Sequence, residues 1–223
     1  MGLKISRTVK ILYTILVVCL LPVSIDTYGW MNLLWFSNLG LIGTVPALWL
    51  ENRTLMGMTA LSVCLLDSLW TLDWAVAVTF GVHPIGGTQY MFDDSLLLQV
   101  RNFSLYHLVL PPLLVYGVAR LGYDRRCLIR QTVFAWTVLW LVFLFGEREA
   151  NINWVFGPVT AQSVLHPWFY FSMVLVAVPV VVYLPFHLLL ARFFSSAPHD
   201  DLLPGTESLL HADEMVARSH KIK

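Results

Sequence analysis

The sequence predicts an all-α membrane protein, a bundle of six transmembrane helices whose N and C termini face the cytoplasm. Apolar residues make up 57% of the 223 residues and charged residues only 13%, against about 45–50% and about 25% in soluble domains. The apolar residues form long runs, and basic residues cluster in alternate links between them. So much apolar surface is stable in a bilayer, where an α-helix satisfies its own backbone hydrogen bonds.

Six apolar runs have about the length of 17–25 residues that a helix needs to cross a bilayer. They occupy residues 9–25, 30–50, 55–81, 103–121, 131–146 and 167–194. A β-barrel would instead need alternating segments of about ten residues, whereas the chain is apolar on every side of runs such as 11–21. We therefore predict a transmembrane domain over 1–194, followed by a polar and mobile tail over 195–223 to which we assign no function.

The first span has a second interpretation. A basic start, an apolar stretch and small residues near Ser24 are also typical of a secretory signal peptide. No A-x-A-like cleavage site precedes Ile25. We therefore predict a retained span; cleavage would leave five spans with unchanged orientation.

The orientation follows from the basic residues, because short links rich in Lys and Arg stay in the cytoplasm. These residues lie before the first span and between the fourth and fifth: Lys4, Arg7, Lys10, Arg120, Arg125, Arg126 and Arg130. Six spans place both regions on one side, with links 82–102 and 147–166 outside. The bacterial inner membrane is the predicted location.

Several kinds of site are disfavoured by the sequence. Cys19, Cys64 and Cys127 are scattered without a C-x-x-C pair, which argues against a disulfide framework or a zinc site. A metal would need ligands from separate helices, so we predict none, and no cofactor is indicated. The chain has no phosphate loop or dinucleotide fingerprint. Its few basic residues indicate membrane orientation, so we expect no nucleic-acid partner.

Polar residues inside the spans are the informative ones, because a charge or an imidazole in hydrocarbon is costly. Counting inward at 1.5 Å per residue places Ser37 roughly 10 Å deep, Asp73 roughly 12 Å and His107 roughly 7 Å from the outer side. We predict His107 as a general base, Ser37 as its nucleophile and Asp73 as the carboxylate that orients the imidazole. Ser37 could instead bond to its own helix carbonyls, and His107 could be a structural histidine.

A second group of residues is predicted to support this site from the spans and the outer links. It comprises Asn38, Asp67, Asp93, Asp94, Asn151, Asn153 and Trp154. Asn38 could also join two helices. Asp67 and Asp73 are about 240° apart around one helix, so they do not form a carboxylate pair. The outer links could anchor aromatic side chains at the interface or fold over the polar layer as a lid.

Two families resemble this chain. Segments 122–126 (Gly-Tyr-Asp-Arg-Arg) and 151–157 (Asn-Ile-Asn-Trp-Val-Phe-Gly) resemble a group of uncharacterised bacterial membrane-associated proteins, over nearly the whole chain. His107 before Leu110-Pro111, and Trp154-Val155-Phe156, resemble more distantly the androgen-induced family of six-span transmembrane threonine hydrolases. That resemblance implies hydrolysis of fatty acid esters of hydroxy fatty acids. The family's nucleophilic threonine is not matched; Ser37 is the nearest hydroxyl at suitable depth.

These observations predict an intramembrane hydrolase or acyltransferase acting on a lipid ester in an outer-leaflet pocket. The expected partner is a membrane lipid, and no protein partner is indicated. The alternative is a non-catalytic membrane subunit that binds a lipid or a partner, in which the polar layer only locks the helices together. A small transporter would need a polar stripe through both leaflets, which the fifth span lacks.

Overall fold

The computed structural model describes residues 5–195. Apart from Ser195, the predicted tail lies outside the described residues. The chain between these bounds folds into helices, with two longer links over 81–97 and 146–166. The α-helices are α1 (Arg7–Tyr28), α2 (Phe36–Trp49), α3 (Arg53–Phe80), α4 (Leu98–Phe103), α5 (Tyr106–Leu121), α6 (Cys127–Phe145), α7 (Pro167–Ala177) and α8 (Leu184–Phe194).

Five helical segments within 5–195 are long and apolar enough to cross a membrane. They are α1, α3, α6, the α4–α5 segment over Leu98–Leu121 and the α7–α8 segment over Pro167–Phe194. This confirms the all-helical prediction and is compatible with a multi-pass membrane protein.

The predicted second span, 30–50, differs from the observed helix. Residues Trp30–Leu34 form a 3-10 turn, and Trp35 is extended with φ −58° and ψ 135°, so α2 begins only at Phe36. Its 14 residues span about 21 Å, less than the roughly 30 Å of a bilayer core. The helix is therefore shorter than the predicted run 30–50: α2 covers only Phe36–Trp49.

Helix α3 is central, packing against α2, α5 and α6. Glycines lie where the helices approach most closely. A Cβ atom added to Gly40 of α2 would lie 2.6 Å from Val63 Cγ1, and one added to Gly117 of α5 would lie 2.5 Å from Met56 Sδ. Small residues at such contacts let helix backbones approach in a membrane.

One end of the bundle is tied together by polar contacts between the links. These are Lys10 Nζ to Glu51 Oε1 at 2.7 Å, Thr54 Oγ1 to Asp124 Oδ2 at 3.0 Å, and Tyr123 N–H to Phe194 O at 2.8 Å. They bring the start of α1, the α2–α3 link, the α5–α6 link and the end of α8 to one end of the bundle. We call this the arginine end, because Arg125, Arg126 and Arg130 lie in or next to the α5–α6 link.

A π-helical turn over Val178–Tyr183 joins α7 to α8. Pro179 has no N–H to offer the Leu175 carbonyl one turn earlier. Trp136 of α6 supplies the missing donor, with Nε1 2.8 Å from Leu175 O. The irregular segment is therefore held by a neighbouring helix, as irregular backbone within a membrane requires.

Candidate functional site

His107 lies just after a break between α4 and α5. The break leaves the Ser104 carbonyl facing back into the start of α5, where it accepts from the His107 N–H at 3.2 Å and from His107 Nδ1 at 2.6 Å. A carbonyl oxygen can only accept, so Nδ1 carries the proton and Nε2 of the neutral ring keeps its lone pair. No hydrogen bond reaches Nε2 from any residue within 5–195.

The His107 ring is held between two aromatic rings. Trp70 of α3 stacks on it with centroids 4.4 Å apart, and Tyr106 stacks with centroids 4.1 Å apart. Below the ring, Pro111 cannot donate to the His107 carbonyl, and Thr71 of α3 does so instead at 3.4 Å. The imidazole therefore has a fixed plane and a fixed tautomer.

Tyr106 links the His107 ring to the predicted residues of α2. Its hydroxyl donates to Asn38 Oδ1 at 2.9 Å, and Asn38 Nδ2 donates to the Asn32 carbonyl at 2.8 Å. The Ser37 side chain interacts with the same Tyr106 hydroxyl. His107 thus stacks on Tyr106, and Ser37 lies near the Tyr106 hydroxyl, but Ser37 and His107 form no hydrogen bond with each other.

Asp67 is buried near the middle of α3, with 2% of its surface exposed. Its Oδ2 atom is enclosed and has no hydrogen-bond partner among the described residues. Tyr13, Tyr90 and Tyr106, from α1, the outer link and α5, lie close enough to interact with it electrostatically. Cys64, one turn away on α3, is its fourth such neighbour.

Asp73 is also buried, but its carboxylate is fully engaged by the link after α3. Oδ1 accepts from the N–H groups of Ile85 at 2.7 Å and Gly86 at 3.3 Å, and Oδ2 accepts from Thr88 N–H at 3.1 Å and Thr88 Oγ1 at 2.6 Å. His83 Nδ1 then contacts Thr88 Oγ1 at 3.1 Å. The structure thus places Asp73 as an anchor for this link and not beside His107.

The outer link between α3 and α4 folds down onto the bundle through Tyr90, which lies in a 3-10 turn over Gln89–Phe92. The Tyr90 hydroxyl interacts with Trp70 and Ser104, the two residues that also hold His107. Burial raises the pKa of Tyr90 to about 12. Tyr90 therefore covers the polar layer from the outside.

The two acidic residues of the same link lie away from His107. Asp93 accepts from Ser95 N–H at 2.9 Å, and hydrogen bonds from Ser95 hold the pKa of Asp93 below its usual range. Asp94 is 97% exposed and pairs with Arg101 at 3.2 Å. Both carboxylates shape the link rather than reach the layer below it.

The second outer link is built around two asparagines in left-handed backbone conformations, Asn151 with φ 40° and Asn153 with φ 52°. Asn151 Nδ2 donates to the carbonyls of Gly157 at 2.9 Å and Val159 at 3.3 Å, and its Oδ1 accepts from Phe156 N–H at 2.9 Å. The Asn151 side chain therefore stabilises the folded conformation of its own link.

Asn153 instead reaches the start of α2. Its Oδ1 accepts from Phe36 N–H at 2.9 Å and its Nδ2 donates to the Leu34 carbonyl at 2.8 Å. The Tyr170 hydroxyl donates to the backbone carbonyl of Trp154 at 3.1 Å. This link therefore fixes the entrance to α2 and the start of α7.

Taken together, the predicted residues fall into two groups. His107, Ser37, Asn38 and Asp67 gather around Tyr106, whereas the others organise the outer links. Trp70, Tyr90 and Tyr13 were not singled out from the sequence. Trp70 follows Asp67 by three residues and so lies on nearly the same helix face, a spacing that could have indicated it.

The described residues contain no cluster of three or more His, Cys, Asp or Glu side chains that could hold a metal ion. Two open apolar grooves, of about 430 Å³ and about 350 Å³, lie along the π-helical turn, the first against α7 and the second against α6. Their walls contain none of the predicted site residues.

Comparison with known proteins gives no match: no family, no curated protein and no solved structure matches this chain. The two family resemblances therefore stay predictions from the sequence.

Proposed function

We propose that this chain is a multi-pass membrane enzyme that hydrolyses or transfers the acyl group of a lipid ester, with His107 as the general base. The observation that supports this proposal is the His107 Nδ1 to Ser104 O contact of 2.6 Å. A histidine whose Nδ1 is fixed by an acceptor presents Nε2 as a base. The enclosing rings of Trp70 and Tyr106 keep that nitrogen in one place.

The reaction follows the logic of a hydroxyl activated by an adjacent base. Nε2 of His107 takes the hydroxyl proton of Ser37 as its oxygen attacks the ester carbonyl, and returns that proton to the departing alcohol. Water, or a second alcohol, then releases the acyl group by the same proton path. Because Ser37 lies near the Tyr106 hydroxyl and forms no hydrogen bond with His107, this step requires the Ser37 hydroxyl to turn towards the imidazole when substrate binds.

Asp73 has a different role in this proposal from the one expected from the sequence. Its carboxylate accepts four hydrogen bonds from the outer link. We assign Asp73 as a positioning residue that holds the link, and with it Tyr90, over the polar layer. The lipid substrate enters from the outer leaflet, and the acyl chain lies among the helices.

The second candidate is a non-catalytic membrane subunit that binds a lipid or a protein partner. The chain of contacts from Asn32 through Asn38 to Tyr106 favours it, because such a chain joins the start of α2 to α5 without any need for chemistry. In that case His107 serves only to pack α5 against α3.

Turnover of a radiolabelled fatty acid ester by purified protein separates the two functions. We expect His107→Gln to reduce the rate at least 100-fold, the lower range for loss of a general base, and Ser37→Ala to reduce it similarly. Ser172→Ala, which removes a hydroxyl on α7 that bonds only to its own helix, is the control and should keep most of the rate. Undiminished turnover in His107→Gln would refute the catalytic role of His107. If the wild type turns over no ester and His107→Gln only lowers thermal stability, the non-catalytic subunit is favoured.

A further inference from the structure

The second of the two apolar grooves begins near the arginine end, because two of its wall residues belong to the first turn of α6. It has a volume of about 350 Å³ and lies between α6 and the segment formed by the π-helical turn and α8. Its apolar walls include Leu128, Ile129, Val133, Trp136, Val180 and Leu184. We call it the Trp136 groove. Its volume falls within the range of about 300–1,000 Å³ that is typical of ligand pockets.

The α6 wall of the Trp136 groove continues to an arginine. Arg125, Ile129 and Val133 follow one another at intervals of four residues, which places them on one side of a helix. Arg125 lies in the turn directly before α6, where the Asp124 carbonyl accepts from Cys127 N–H at 3.0 Å. Arg125 therefore stands at the end of this wall that belongs to the arginine end.

The α8 wall continues to a second arginine. Leu184, Leu188 and Arg192 also follow at intervals of four residues. The two walls meet at this end of the bundle, because Arg125 Nε donates to Ser195 Oγ, directly after α8, at 3.4 Å. Two arginines from distant parts of the chain thus lie at the same end of one apolar groove.

These two arginines have guanidinium groups available for a ligand. Arg130, on the same link, pairs with Asp124 at 3.3 Å. Arg125 and Arg192 are exposed, and neither pairs with a carboxylate within 5–195. A guanidinium has five N–H donors in a fixed plane, a geometry that suits the oxygens of a phosphate. An apolar groove that ends on two such groups has the chemistry to hold an anionic amphiphile.

We propose that the Trp136 groove binds an anionic phospholipid. One acyl chain lies in the groove along Val133 and Trp136, and the phosphate contacts Arg125 and Arg192. Basic pockets between helices at a membrane surface bind anionic head groups in this way. The site lies apart from His107 and takes no part in the proposed reaction. The bound lipid would instead hold α6 against the irregular backbone of the π-helical turn.

Native mass spectrometry of the full-length protein in detergent tests this proposal. The probes are dioleoylphosphatidylglycerol, which is anionic, and dioleoylphosphatidylcholine, which has the same chains but no net charge. One basic residue near an anionic lipid strengthens binding about fivefold. With two arginines, we therefore expect the first phosphatidylglycerol to bind about 25-fold more tightly than the first phosphatidylcholine.

Variants separate the head-group contacts from the groove. Arg125→Gln and Arg192→Gln should each weaken phosphatidylglycerol binding about fivefold and leave phosphatidylcholine binding unchanged. Arg7→Gln removes an exposed arginine at the start of α1 and is the matched charge control, so it should change neither. Val133→Trp fills the groove and should weaken phosphatidylglycerol binding. Val176→Trp, at an exposed valine in the wall of the other groove, should not.

Three outcomes would overturn the proposal. The first is equal binding of both lipids by the wild type, which would result if the acidic residues beyond Ser195 covered the arginines. The second is an equal loss in Arg125→Gln and Arg7→Gln, which would indicate the general charge of the arginine end and not a site. The third is unchanged phosphatidylglycerol binding in Val133→Trp, or a protein dimer that excludes the lipid. None of these measurements involves ester turnover, so they stand whether or not His107 is catalytic.

Discussion

At the residue scale, asparagine side chains replace backbone hydrogen bonds that the outer links cannot make. Asn153 contacts both Leu34 O and Phe36 N–H, so its amide pairs with the backbone on either side of the break before α2. Its left-handed φ of 52° is tolerated by asparagine far better than by most residues. A link more than a hundred residues away in sequence thus determines where α2 begins.

Replacing Asn153 tests this role. Asn153→Gly accepts the left-handed backbone but removes both hydrogen bonds, so we expect a loss of about 1–3 kcal/mol, which lowers the midpoint of thermal unfolding by about 2–4 °C per kcal/mol. Asn153→Asp keeps the acceptor for Phe36 N–H and should lose less. The midpoint can be followed by tryptophan fluorescence in detergent; equal values for wild type and Asn153→Gly would contradict the assignment.

At the element scale, prolines determine which helices depend on each other. Pro111 in α5 and Pro179 at the π-helical turn each free a carbonyl one turn earlier, and side chains of neighbouring helices bond to both: Thr71 to His107 O and Trp136 to Leu175 O. The two interhelical bonds therefore compensate for missing backbone donors. They also fix the rotation of α5 against α3 and of α6 against α7.

This dependence predicts coupling between Trp136 and Pro179. Trp136→Phe leaves Leu175 O without a donor and should cost about 1 kcal/mol, in the range of interhelical bonds in membranes. In a Pro179→Ala background residue 179 regains an N–H for that carbonyl, so the same change should cost less. Thermal unfolding of the four proteins in a double-mutant cycle gives the coupling, and additive costs would contradict it. Trp140→Phe, a packing tryptophan, is the control.

At the scale of the whole molecule, charge is segregated between the two ends of the bundle. The arginine end contains Arg125, Arg126 and Arg130, together with the acidic residues Asp124 and Glu51. Burial by itself raises the pKa of Asp124. Hydrogen bonds from Arg126 N–H and Thr54 outweigh this effect, together with the charges of Arg130 and Arg53, and the pKa of Asp124 lies below its usual range. We propose that this end faces the cytoplasm, following the rule for basic links.

Cysteine accessibility tests the orientation. In a variant with Cys19, Cys64 and Cys127 replaced by Ala, Asp94→Cys should react with a membrane-impermeant maleimide in intact bacterial cells. Arg126→Cys should react only after the cells are permeabilised. Both positions are exposed, so each reports its side of the membrane. The opposite pattern would show that the arginine end is outside.

The sequence could single out His107 as a candidate, because an imidazole in an apolar run is conspicuous, but it could not predict the contacts around it. The catalytic role of His107 stays a prediction. The sequence could not assign Asp73 to the link, since the hydrogen bonds from Ile85, Gly86 and Thr88 depend on how that link folds. Nor could it show that Asp67 Oδ2 is enclosed without a hydrogen-bond partner among the described residues, because that depends on how the neighbouring helices pack against α3.

Composition by itself determined that the chain forms apolar helices, because a bilayer admits so many apolar residues only when each segment satisfies its own backbone. It also determined which residues would be costly inside them. The tertiary structure decided the length of α2, the partner of Asp73 and the grouping of Ser37, Asp67 and His107 around Tyr106. These depend on helix rotation and on the outer links, which contacts between distant parts of the chain determine.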